Sequence, residues 1–531
     1  MFWNRHQTKS GIAGLLLVGM VGCVELDVQN PNDADAERAL GSAGDVEALI
    51  AGSFGTWDNV LSSAGPTPFL SNAAGGHAAP WANFGMEQYA RIPRVPTNNI
   101  AGASDVGNLT YAWYQAYRAI SAVRDGLRQI ADGTVDLEDD TQRAQAFGKF
   151  VQGIAHASVA VLYDSGFVYD ETFDPDGEVP LVSYQDMMTA ARGYFQQAID
   201  LASGASFTIP ESWMGVSVPA ADLEMLAHSE RARFSASVAR TPAERQALDW
   251  TAIRADAEAG FINDAWEQYL CASGSTVCHS GVWYMVAIGW HMQNNWVLGM
   301  ADQSGGYQDW LATPLLDKQP FIVVTPDTRW PQGADQATQV QNPGEYYTVN
   351  GEDADGVDDG SRVWERPDRG TWRWSYYKQY QEPYFGYTNV EGEGFVPTVQ
   401  PNEMQALVAE SHFYAGNMGP VVDYVNSTRT LHGLQATDAA GTNTDCVPRL
   451  PNGDCGGLWE MFKWEKRLEN QFAGALRILM YFDGRGWGDL MQGTILQLPT
   501  PFGEMQLLER SPYNYGGVGG ESAAPVGTYG Y

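Results

Sequence analysis

Positive charge is scarce in this chain of 531 residues: 31 Lys and Arg stand against 64 Asp and Glu, a formal net charge of −33. Binding a phosphate backbone requires cationic neutralisation, so nucleic acid is excluded as a partner, as is a basic face lying on anionic lipid. Long apolar runs are lacking too. No segment approaches 18 consecutive apolar residues, and about 20 are needed for a helix to cross a hydrocarbon core. The common catalytic signatures are missing: there is no G-x-x-x-x-G-K-[ST], H-E-x-x-H or G-x-S-x-G, and no G-x-G-x-x-G opening a helix. Only eight His occur. None is paired at ligand spacing, which favours core or surface histidines over a metal centre. What remains is a composition of 44% hydrophobic and 18% charged residues, which belongs to a globular chain with one large domain or two to three ordinary ones.

The N-terminus has an address. Arg5 and Lys9 precede a 12-residue apolar run from Gly11 to Gly22, too short to span and typical of a signal-peptide core. It ends in Met20-Val21-Gly22-Cys23, which resembles a bacterial lipobox with Met where Leu is usual. Residues 1–22 are therefore expected to be a signal peptide, and Cys23 to carry palmitate-type acyl chains. Residues 23–36 are the expected lipidated tether; an ordinary signal peptide with an incidental Cys is the alternative. Two or more chains give stable attachment of a soluble body, so the expected membrane link is the lipid anchor alone. Val24, rather than Asp, follows the Cys and favours the outer membrane.

The other four cysteines are Cys271, Cys278, Cys446 and Cys455. An even number in an oxidising compartment points to two disulfides, of three possible connectivities. The local pairs Cys271–Cys278 and Cys446–Cys455 each bracket a turn-rich stretch and are the expected ones. A four-thiolate zinc site would want closer spacing.

Apolar residues at steps of three and four predict a helix from near Asn108, placed to cap, through Ile130, with Leu109, Trp113, Ala116, Ile120, Val123 and Leu127 on one face. Similar stripes predict helices over Phe147–Val161 and Tyr184–Leu201, and over 222–239 and 244–259, the last closed by Gly260. Pro401–Ala415 and a partner running to Leu431 form a helical hairpin near tetratricopeptide length. A last stripe runs from Leu458 to Phe482. The predicted division is an N-terminal helical part over 37–262, an irregular aromatic-rich lobe over 263–400, and a C-terminal helical part over 401–531 that completes the same domain.

The irregular lobe holds nine of the 18 Trp. Indole and phenol faces pair with the apolar C–H faces of sugars while their polar tips make directional bonds. Trp283, Trp290, Trp296, Trp310, Trp330, Trp372 and Trp374, with Trp81 in a polar, glycine-containing stretch, are the candidate ligand-binding residues; core filling is the competing role. The acidic loop with Asp353, Asp355 and Asp358 could gather oxygens around structural Ca²⁺, although it fails the EF-hand template; otherwise no cofactor is expected. Glu465 and Glu469 lie one helical turn apart beside Lys466 and Arg467. That pattern reads as a solvated face with local ion pairs rather than a glycosidase pair.

In order along the chain stand Cys23, Leu26-Asp27-Val28-Gln29-Asn30-Pro31, Gly44 to Gly52 leading to Trp57, Val159 to Gly166, Asn402 to Ser411, Trp464 to Glu469, Tyr481 to Leu490 and Tyr513 to Gly517. Together these resemble the SusD/RagB family of outer-membrane nutrient-binding lipoproteins. The resemblance implies a mainly α, SusD-like fold in which tetratricopeptide-like helix pairs support a loop-rich lobe. It also implies a surface lipoprotein seated on a SusC-like TonB-dependent transporter, capturing oligosaccharide for uptake without catalysis. Peptide capture on the same fold and an exported glycoside hydrolase are the alternatives. Ligand residues vary within the family, so none is transferred from it.

Overall fold

The computed structural model describes residues 40–61, 65–79, 86–104, 106–174, 177–270, 291–349, 370–379 and 394–531. The expected signal peptide and tether, Cys23, Trp81, Trp283, Trp290, Cys271, Cys278, Asp353, Asp355 and Asp358 lie outside these residues.

The first half is a stack of helices. Helix α1 (Ala43–Asp58) starts where the Ser42 hydroxyl accepts from the Asp45 N–H, and α2 (Pro66–Ala73) opens on a proline. Helix α3 (Val106–Ala131) buries the stripe read from the sequence, but it begins two residues before Asn108, which lies in its first turn and does not cap it. Helix α4 (Thr141–Leu162) is buried on nearly every side beyond Ala144. Its polar groups are answered internally: Ser158 accepts from the Trp57 indole at 2.9 Å, and the His156 Nδ1 lies 2.8 Å from the Gln152 carbonyl. Two glycines let the helices meet. A Cβ on Gly126 of α3 would stand 2.5 Å from Ile50, and one on Gly153 of α4 would stand 2.8 Å from Phe195.

Helix α5 (Tyr184–Ala202) packs on α4 and is capped by Ser183. Helix α6 (Ala220–Ser237) follows, and the expected 244–259 helix divides into a short turn, Pro242–Gln246, and α7 (Trp250–Ala259). The division falls where the Asp249 carboxylate accepts from the Ala252 N–H at 3.0 Å and starts a new helix.

The C-terminal part holds the hairpin α8 (Pro401–Tyr414) and α9 (Met418–Arg429), then α10 (Leu458–Glu469) and α11 (Leu479–Trp487). The sequence pattern joined the last two into one helix. The structure breaks them at residues 470–478, where Phe472, Leu476 and Arg477 take positive φ of 65°, 54° and 61°. Tertiary bonds hold the break: Arg477 donates to the Pro397 carbonyl at 3.0 Å, and Thr67 donates to that of Leu476 at 3.0 Å. Short strands lace the middle lobe: β1 (His77–Ala78), β2 (Trp266–Leu270), β3 (Met292–Gln293), β4 (Tyr347–Val349), β5 (Tyr377–Gln379) and β6 (Gly394–Val399). They pair antiparallel as β1 with β3, β2 with β6 and β4 with β5. The lobe shares the helical core, because one continuous apolar cluster runs from Val46 to Tyr529 and takes in Trp296, Trp330, Tyr347 and Tyr377. Cys446 and Cys455 form the expected disulfide. Among the described residues no helix is long and apolar enough to cross a membrane.

The charged face of α10 is not solvated. Glu465 and Lys466 are fully buried and Arg467 is 3% exposed. Arg245 holds Glu410 of α8 through two bonds of 2.6 and 2.8 Å and Asp483 of α11 at 2.7 Å, while Lys466 meets the same two carboxylates at 3.0 and 2.9 Å. Beside this quartet, Arg329 joins Asp327, Glu465 and Glu469 at 2.8 to 2.9 Å, and Asp489 binds Lys463 and Arg467. Pairing offsets the cost of burying such charges, and the i, i+4 acids Glu465 and Glu469 of α10 are both tied to Arg329 rather than to Lys466 and Arg467. Burial raises the Glu410 pKa, but Arg245 and Lys466 outweigh it and hold the carboxyl at about 2.

Candidate functional site

The five candidate tryptophans that the structure describes all point into the core. Trp296, Trp310, Trp330, Trp372 and Trp374 are 9%, 4%, 1%, 7% and 3% exposed. Trp330 is sandwiched against Tyr347 at 4.4 Å and meets Tyr377 edge-on at 5.1 Å. Trp296 meets Trp310 edge-on at 4.9 Å and Tyr531 at 5.2 Å, and the Lys318 ammonium sits 4.3 Å from the Trp310 ring. The buried indole N–H groups of Trp296, Trp310 and Trp330 have no partner, so packing alone holds these rings. The expectation that they offer stacking faces is corrected here. A lobe with little regular structure has few amphipathic faces to bury, and bulky rings supply its apolar volume instead.

The small pleated patch of β1, β3 and β5 nevertheless gathers the candidate segments. Ala78 pairs with Met292, and Trp374 packs on both. The Ser375 N–H donates to the Gln293 carbonyl at 3.1 Å and the Asn294 N–H to that of Gly76 at 3.0 Å. Residues 76–79 and 291–294 therefore run side by side, with Trp374 packed on them. That edge is the candidate ligand site.

Beneath it lies a polar layer that no local sequence pattern announced, since its members are up to 399 residues apart. Asn72, His77, His291, Gln293 and Gln471 are each no more than 2% exposed. The Gln471 amide nitrogen lies 3.0 Å from His77 Nε2 and donates to Gln293 Oε1 at 2.9 Å, and the Tyr347 hydroxyl donates to Gln471 Oε1 at 3.0 Å. Burial, and then the nearby His291, push the His77 pKa well below the ordinary value, so the imidazole is neutral at pH 7. With Nε2 accepting from Gln471, the network assigns the proton to Nδ1. That Nδ1–H and Asn72 Oδ1 are buried without partners. Each such group costs about 1–3 kcal/mol. Among the described residues no cluster of His, Cys, Asp and Glu is arranged to hold a metal ion.

No protein-family model and no curated protein matches this chain. Solved structures do. The chain is similar to a SusD-like carbohydrate-binding protein from Bacteroides fragilis, at 12% identity and a TM-score of 0.53, over 92% of this chain and 96% of that one. A SusD-like carbohydrate-binding protein from Bacteroides vulgatus matches at 12% identity and a TM-score of 0.49 over 92% and 94% of the two chains. A further SusD-like protein from Bacteroides fragilis matches at 14% identity and 0.48 over 85% and 87%. The first of these shows the fold: the mainly helical, SusD-like architecture expected from the sequence.

Proposed function

We propose that the protein is a lipid-anchored outer-membrane receptor that binds oligosaccharides at the cell surface and passes them to a SusC-like, TonB-dependent transporter. The observation that carries this reading is the likeness in fold, over 92% of the chain, to a protein described as carbohydrate-binding. The lipobox-like Met20 to Cys23 and the absence of the common catalytic signatures support it. The candidate edge supports it further: the described strands His77–Ala78 and Met292–Gln293 pair there beside a buried polar layer. Rings stack on the sugar faces and the polar groups read hydroxyls, which gives capture with release and requires no bond to be broken.

The test is affinity electrophoresis of the purified full chain through a panel of polysaccharides, with reducing ends assayed in parallel. Retardation by a glycan without new reducing ends is the expected result. Retardation with cleavage makes the protein a hydrolase, and no retardation by any glycan removes the sugar reading in favour of peptides.

A further inference from the structure

A cavity of about 310 Å³ lies between α11 and the C-terminal segment, remote in sequence from the aromatic lobe, and Arg240, Arg485, Trp487, Leu490, Leu496 and Val526 are among the residues that line it. Its outer wall is fixed rather than draped. The Thr528 N–H donates to the Gly488 carbonyl at 2.9 Å, and Ala524 exchanges bonds of 2.8 Å with Gly493 and Thr494. The volume falls at the lower end of the ~300–1,000 Å³ typical of small-molecule sites.

The two arginines set its chemistry. Both are buried, at 3% and 1% exposure, and both Nη1 atoms donate to the same Leu496 carbonyl, at 3.3 Å from Arg240 and 2.7 Å from Arg485. Their other bonds also go to main-chain carbonyls: Arg240 to Ala160 and Tyr163, Arg485 to Ala239 and Ser237. A guanidinium has five N–H donors, so neither is exhausted, and the buried Arg240 Nε–H has no partner. Among the described residues neither guanidinium forms an ion pair. Glu244, whose charge reaches both, is taken up by the Arg240 main-chain N–H at 2.9 Å and the Tyr184 hydroxyl at 3.0 Å. Arg245, Arg233 and Arg329 are neutralised by carboxylates, whereas Arg94 is held, like this pair, by neutral oxygens, those of Thr494, Arg91 and Ala73. Here two cations share one neutral oxygen beside an open space. Burial first, and the charge of Arg485 second, lower the Arg240 pKa to about 9.

We propose that this cavity binds a small organic carboxylate, its oxygens on the free N–H groups of Arg240 and Arg485 and its apolar body against Trp487, Leu490, Leu496 and Val526. The charge fixes the head group, because a carboxylate accepts two N–H bonds from a guanidinium in plane. The lining fixes the rest as aryl or short alkyl. The site is separate from the candidate glycan edge and would serve a second, smaller ligand.

The experiment is calorimetric titration of the purified full chain with benzoate and hexanoate, each beside its neutral amide. The expected result is saturable binding of a carboxylate with the matching amide at least tenfold weaker. Val526 is 57% exposed at the rim, so Val526→Trp should block the cavity without disturbing the fold and abolish binding at unchanged melting temperature. Arg240→Gln should weaken the carboxylate at least tenfold and leave the amide unchanged. No saturable binding of either acid, equal affinity for acid and amide, or full affinity in Val526→Trp would each overturn the proposal.

Discussion

Glu410→Gln isolates the buried charge quartet. The substitution keeps the size of the side chain and removes one of two negative charges facing Arg245 and Lys466, leaving a net buried cation beside Asp483. In the native chain Glu410 accepts two bonds from Arg245 at 2.6 and 2.8 Å, one from Lys466 at 3.0 Å and one from the Trp487 indole at 2.8 Å. Unpairing a buried charge costs about 3–5 kcal/mol, against about 0–1 kcal/mol for a solvated pair. Adding Lys466→Met restores neutrality around Arg245 and Asp483, so the double variant should be less destabilised than the sum of the singles by about 1–3 kcal/mol. Urea unfolding followed by tryptophan fluorescence reads both quantities. The loss should persist at about 1 M NaCl, where exposed pairs are screened over about 3 Å. A loss under 1 kcal/mol, or one that salt abolishes, would refute the buried network and return Glu465, Lys466 and Arg467 to a solvated face.

Further expectations concern the core and its protons. Trp330→Ala should cost about 3–5 kcal/mol in the same unfolding assay, since it empties the space between Tyr347 and Tyr377. Glycan retardation of the folded fraction should survive, because the ring is core and not platform. His156 is held at a pKa of about 4 by burial, against an unfolded value of 6.5. A depressed folded pKa gives stability that is present above pH 6.5 and lost as pH falls toward 4, here about 3 kcal/mol. His77 acts in the same direction, whereas His432, raised by Glu469 and Glu345 against burial, gains stability on acidification. The melting temperature of His156→Gln should therefore depend less on pH over that interval than that of the native chain; an unchanged slope would contradict the assignment.

Amphipathic helices were legible where one stripe meets one neighbour. Helices α3 and α5 and the α8–α9 hairpin lie close to their sequence patterns, because apolar spacing and caps such as Ser183 are local properties. The break after α10 was not, since the apolar stripe continues through it. Bonds between distant segments, from Arg477 to the Pro397 carbonyl and from Thr67 to that of Leu476, help to hold the left-handed residues there. Neither the orientation of Trp296 nor the burial of Glu465 can be read from residue type, because each depends on a partner more than a hundred residues away, Tyr531 and Arg329. The polar layer around His77 and the Arg240–Arg485 pair are likewise products of topology. The Cys446–Cys455 bond, by contrast, follows from a short turn-rich spacing.

The most direct test of glycan capture sets two candidate ligand residues against a core residue in one gel. Trp81→Ala and Trp290→Ala are run beside Trp330→Ala through the polysaccharide that retards the native full chain, with melting temperatures recorded for each. The account expects the first two to lose retardation at native stability and Trp330→Ala to lose stability while keeping retardation. Undiminished retardation in both Trp81→Ala and Trp290→Ala would contradict it.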